Sequence, residues 1–70
     1  MILSGKRLDS AMKRRGVSIK ALAMAAGVSR QAIRLYLRGE RQPRAGTFID
    51  MCVYLRVNPL NLMIEEKKHE

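Results

Sequence analysis

Cysteine is nearly missing from this sequence: Cys52 stands alone, so no disulfide can form within the chain. Histidine is as scarce. His69 lies far from Cys52, the two make no zinc site, and no metal or other cofactor is expected. Tryptophan is absent, and two tyrosines and one phenylalanine are too few for the stacking platforms that grip single-stranded nucleic acid. No apolar run reaches the ~20 residues that span a bilayer, and nothing resembles a secretory leader, so the expectation is a soluble, cytoplasmic protein. The two prolines and five glycines are spread along the chain, which excludes a low-complexity linker and a glycine-rich phosphate loop. Acidic residues number six, and none of Asp9, Glu40, Asp50 or the tail carboxylates pairs with a histidine at a catalytic spacing. A chain of 70 residues buries only about 60% of its unfolded surface and leaves little room for an enzyme cleft. Neither catalysis nor a small-molecule substrate is expected.

What the chain does have is positive charge. Fourteen Lys and Arg give a formal net charge of +8, while 47% hydrophobic residues are too many for a disordered basic tail. Such a surface seeks a polyanion. An anionic membrane would satisfy charge alone, but orderly helix caps and a compact core favour nucleic acid and no membrane.

The caps follow one pattern, repeated three times: Val17-Ser18 with Leu22, Val28-Ser29 with Ile33, and Val57-Asn58 with Leu62. In each, a small polar residue can cap free helix N–H groups, while the apolar residue before it meets another at the fourth helical position. Pro59 strengthens the third start, because its missing N–H had no intrahelical partner. The resulting expectation is an all-α chain with helices near 4–15, 18–26, 29–38, 45–55 and 59–66 and no strand. The domain would span residues 1–66, leaving a charged, frayed tail over 67–70. Gly16 and Gly39 suit helix C-termini. The fourth helix is the least well marked, since Arg44 is a poor cap and Gly46 a poor helix former; Phe48, Met51 or Cys52, and Leu55 still share a face. On the first helix, Leu8, Ala11 or Met12, and Arg15 recur at helical spacing. Met24, Met63, Cys52, Phe48 and Tyr54 read as core fillers rather than as recognition residues.

From Ser18 to Gly39 the sequence runs SIKALAMAAGVSRQAIRLYLRG, with only Gly27 and Val28 between one helix and the cap of the next. So short a turn forces a steep crossing, which favours Ala23 and Ala26 where the backbones approach and Gly27 where the chain reverses. On the helix opening at Ser29, Ala32, Ile33, Tyr36 and Leu37 make an inward face. Arg30, Arg34 and Arg38 recur every fourth residue on an outward one. Arginine is shaped to grip guanine O6 and N7 with two hydrogen bonds, and Gln31 can do the same for adenine. Leu35 has two readings of equal weight: contact with a thymine methyl group, or partial burial as a packing residue. Phosphate contacts fall to Ser29, Lys20, Arg38, Arg41 and Arg44, which position the protein without reading sequence.

This stretch resembles the Cro and phage-repressor (XRE-like) helix-turn-helix family, through Leu22, Ala23, Gly27, Val28, Ser29, Ile33, Tyr36 and Gly39. LDSAMKRRGVS upstream and RQP with FIDMCVYLRVNPLNLM downstream extend the resemblance to about 60 of the 70 residues. It implies a five-helix, lambda-repressor-like domain of prokaryotic or phage origin, with its third helix in the major groove and base contacts from Arg30, Gln31 and Arg34. Where the family commonly has a phosphate-touching glutamine, this chain has Ile19, which cannot make that contact. Ile49 with Val53 and Leu60 with Ile64 remain as surplus apolar pairs, and they are the candidate interface of a homodimer. The resemblance then implies a pseudo-palindromic double-stranded operator read as two half-sites. The function expected is transcriptional regulation, with repression foremost. The alternative is an antitoxin-type or controller protein whose DNA binding is coupled to a protein partner.

Overall fold

Four small polar residues set the starts of the helical segments. Ser18 Oγ accepts the Ala21 N–H at 3.1 Å, Ser29 Oγ the Ala32 N–H at 3.0 Å, and Asn58 Oδ1 the Leu60 N–H at 2.9 Å. Val17, Val28 and Val57 lean on the core beside them, and Leu22, Ile33 and Leu62 are fully buried. The fourth is Ser4, whose Oγ accepts the Arg7 N–H at 3.2 Å, between Leu3 and Leu8, both buried. The cap-and-staple pattern therefore occurs four times rather than three.

The computed structural model describes residues 2–65. Within them the order is strand β1 (Ile2–Leu3), helices α1 (Gly5–Arg15), α2 (Ile19–Ala26), α3 (Arg30–Arg38) and α4 (Ala45–Leu55), a single 3₁₀ turn (Pro59–Asn61), and strand β2 (Met63–Ile64). The expected tail over 67–70 and the last residue of the expected fifth helix lie outside the described residues.

Two expectations need correction. There is no fifth helix over the described part of 59–66, and the chain is not all-α. Asn58 and Pro59 start only one 3₁₀ turn, after which Met63 and Ile64 pair antiparallel with Leu3 and Ile2. Glu65 follows where a helix would carry the negative end of its dipole, no glycine ends the segment, and β-branched Ile64 suits a strand. The ladder continues from Ser4 N–H to Leu62 O at 2.8 Å, so both ends of the described chain are tied together.

α2 packs against α3 and α4, and α1 against α3. The core takes Leu8, Ala11 and Met12 from α1, Leu22, Ala23 and Ala26 from α2, Ala32, Ile33 and Tyr36 from α3, and Met51, Cys52 and Leu55 from α4. Leu3 and Leu62 close it from the sheet side. Burial pushes the Cys52 thiol up from its ordinary value, so it stays a small neutral hydrophobe. Arg15, expected on the inner face of α1, is instead exposed, and its Nη2 donates to Arg56 O at 3.1 Å. Met24 and Tyr54, expected in the core, are 74% and 46% exposed. Their helices have only one inward stripe, and smaller or better-placed neighbours fill it.

Gly5 marks the closest approach between elements. A Cβ there would overlap the Leu37 carbonyl oxygen and lie 2.7 Å from its carbon, so the start of α1 meets the end of α3 backbone to backbone. No described helix is long and apolar enough to cross a membrane.

Candidate nucleic-acid interface

The α2–α3 turn sets how α3 is presented. Gly27 lies in the left-handed region at φ 68°, and Val28 N–H reaches back to Ala23 O at 3.0 Å, so the reversal takes two residues before the Ser29 cap. α3 then divides cleanly. Ala32, Ile33 and Tyr36 are buried, Leu35 and Leu37 are half-buried, and Arg30, Gln31, Arg34 and Arg38 are exposed. The half-buried Leu35 sits on the boundary between the two faces, compatible with either of its readings. Ser29 spends an oxygen lone pair on the cap and keeps its hydroxyl proton for an outside acceptor.

Lys20 on the first turn of α2, and Arg41 and Arg44 on the segment after α3, are exposed as well. None of the cations named so far has a carboxylate within 4.0 Å among the described residues, where the ion pair formed is Lys13 with Asp9 on α1 at 3.0 Å. Other arginines are committed to the fold: Arg7 donates to Met63 O at 3.2 Å, and Arg15 to Arg56 O. The basic residues thus fall into a structural set and an unengaged set; the second includes those on α3 and at the starts of α2 and α4, and also Lys6 and Arg14 on α1 and Arg56 after α4.

Those helix starts carry the wrong charge for stability. No described helix has an acidic residue in its first turn; Lys20 and Arg30 stand in the first turns of α2 and α3, and Arg44 is the cap residue of α4, making no side-chain cap. Cations at the positive end of a helix dipole cost roughly 0.3 to 1 kcal/mol each at low salt. An arriving anion reverses that sign. Ile19, at the place where the family commonly has a glutamine, is half-buried against the core and offers only its backbone.

A helix-turn-helix family model matches residues 8–62, most of the chain. The chain belongs to that family. The resemblance to phage repressors, drawn from about 60 of the 70 residues, is borne out. Solved structures of helix-turn-helix regulators are similar over most of its length. The P22 c2 repressor bound to a synthetic operator has a TM-score of 0.80 at 27% identity, covering 90% of this chain and 96% of that one. The restriction-modification controller protein C.AhdI from Aeromonas hydrophila gives 0.77 at 25%, covering 84% and 89%. The biofilm regulator SinR in complex with DNA gives 0.76 at 25%, covering 84% and 98%. No curated protein matches the chain in sequence.

One contributor escaped the sequence analysis. Gln42 Oε1 accepts the Leu3 N–H at 2.9 Å, and its Nε2 donates to Leu3 O at 3.4 Å, tying the segment that carries Arg41 and Arg44 to the sheet. A glutamine between arginine and proline carries no signal of such a bond, because its partner lies 39 residues away.

Proposed function

We propose that this protein is a sequence-specific double-stranded DNA-binding transcriptional regulator, a repressor that covers promoter DNA. The observation that carries this is the outer face of α3, where Arg30, Gln31 and Arg34 are exposed and pair with no described carboxylate. With α3 in the major groove, Arg30, Gln31 and Arg34 read base edges, and Leu35 meets a thymine methyl group at the edge of the contact. Ser29, Lys20, Arg38, Arg41 and Arg44 hold phosphates on either side. The operator-bound P22 c2 repressor and DNA-bound SinR support this reading, as does the controller C.AhdI. Ile49, Val53, Leu60 and Ile64, all exposed, supply the homodimer face, and two copies read half-sites about 34 Å apart.

Selection from a random duplex pool, followed by titration with and without competitor DNA, tests the reading. Selected sequences are expected to bind at least about 1,000-fold more tightly than random duplex, with affinity falling at a log–log slope near −0.9 per phosphate neutralised. Arg30→Ala or Gln31→Ala is expected to relax base choice at one operator position by about 1 to 3 kcal/mol. Equal losses on operator and random DNA would remove those residues from the base-reading set. Selection that recovers no shared sequence would sink the regulator reading in favour of a partner-coupled or generic polyanion binder.

A further inference from the structure

We propose that Gln42 is a positioning residue for DNA binding: its carboxamide acts as a third strand on β1 and fixes the segment that presents Arg41 and Arg44 to phosphate. The inference rests on the DNA-binding function proposed above and adds the means by which the second half of the interface is held.

The segment between α3 and α4 has little else to hold it. Glu40 N–H returns to Leu35 O at 3.0 Å and closes α3, and Arg44 O accepts the Phe48 N–H at 2.8 Å and opens α4. Between them, among the described residues, residues 41–43 make no hydrogen bond except the pair from Gln42 to Leu3. An open cleft of about 300 Å³ lies between the segment and the sheet, lined by Ile2, Leu3, Gln42, Pro43, Phe48 and Met63 among others. The Gln42 amide crosses from one wall to the other, and it is the hydrogen-bonded tie between segment and sheet.

The geometry is that of a strand edge. Leu3 pairs with Met63 on one side, and its N–H and C=O are both taken by the Gln42 amide on the other. The 2.9 Å bond is the strong one, while the 3.4 Å bond adds direction. Only a residue with an acceptor and a donor on one planar group can serve both. The neighbours of this anchor are Arg41 and, past Pro43, Arg44, each exposed and without a described carboxylate partner. Their reach toward phosphate is measured from Gln42. Freed from Leu3, the segment would have to be ordered on binding, which weakens affinity for every DNA sequence alike.

The test is fluorescence anisotropy of the full chain on its selected operator and on a random duplex, across a NaCl series, well below the thermal midpoint of each variant. Gln42→Ala and the near-isosteric Gln42→Met are expected to weaken both duplexes by about 3- to 10-fold and to flatten the salt slope. In an Arg41→Ala/Arg44→Ala background, Gln42→Met is expected to add no further loss. Faster hydrogen exchange at the Leu3 amide, with core amides unchanged, is expected alongside. If the Gln42 variants bind with parental affinity and slope while the double arginine variant is impaired, the clamp is wrong and the phosphate contacts stand. A loss at unchanged slope that follows the fall in stability makes Gln42 merely structural and overturns the proposal too. Parental binding by the double arginine variant would instead remove the phosphate role of the segment itself.

Discussion

At Gly5 the backbone of α1 runs against the carbonyl end of α3, and at Gly46 the first turn of α4 has nothing within 4 Å of where a Cβ would stand. The contrast decides the sign of one substitution made at both. Alanine is the better helix residue by about 0.5 to 1 kcal/mol, so Gly46→Ala is expected to raise stability by that amount. At Gly5 the new methyl meets backbone, which cannot swing aside, and overpacking typically costs about 1 to 3 kcal/mol. Gly5→Ala is therefore expected to lower the thermal midpoint by several degrees, at roughly 4 to 8 °C per kcal/mol in a domain this small. Denaturation curves of the two variants check this; a more stable Gly5→Ala would mean that α1 and α3 do not approach as described.

At the scale of the helix, stability and the proposed phosphate contact are opposed in α4. Arg44 provides no side-chain cap and places a cation at the positive end of the helix dipole. Arg44→Ser is expected to gain about 1 kcal/mol of stability by capping α4, and at the same time to weaken operator and random DNA by the same factor, with a shallower salt dependence. Thermal unfolding and binding titrations on the same sample separate the two effects. A variant that gains stability without losing affinity would take Arg44 out of the interface. The same local logic explains what could be read from the sequence. Caps at Ser18, Ser29 and Asn58 were visible because each sits between two apolar residues at fixed spacing, and the faces of α3 followed from its 3.6-residue period. Leu3-Ser4 with Leu8 repeats that spacing at the start of α1. Two-residue strands have no periodicity to detect, and Leu3 and Ile2 find their partners Met63 and Ile64 at the opposite end of the described chain. Met63 and Ile64 therefore look helical from local pattern alone, and nothing local signals the bonds between Gln42 and Leu3. Met24 and Tyr54 failed for another reason: hydrophobicity says that a side chain can be buried, while the number of inward positions on a helix says how many will be.

For the molecule as a whole, the exposed apolar residues and the +8 charge bear on the proposed pairing of two copies on DNA. Val53 is 71% exposed and Leu60 62%, which makes them the most accessible members of the proposed interface. Like charges on two copies repel, so association is expected to be weak at low salt and to strengthen as screening shortens the Debye length to about 8 Å at 0.15 M. DNA binding responds to salt in the opposite sense, because phosphate contacts release counterions. In a two-fold dimer each substitution is felt twice, and burying a Val or Leu side chain is worth roughly 1.5 to 3 kcal/mol. Val53→Ser and Leu60→Ser, which leave the charge unaltered, are thus expected to raise the dimer dissociation constant at least about 10-fold, with monomer stability changed by no more than ~0.5 kcal/mol. Sedimentation velocity across a concentration series measures the first quantity. Binding to an operator with one half-site deleted isolates its consequence: both variants should match the parent there and fall behind only on the paired site. Parental self-association by both variants would mean that the two-fold contact lies on some other face.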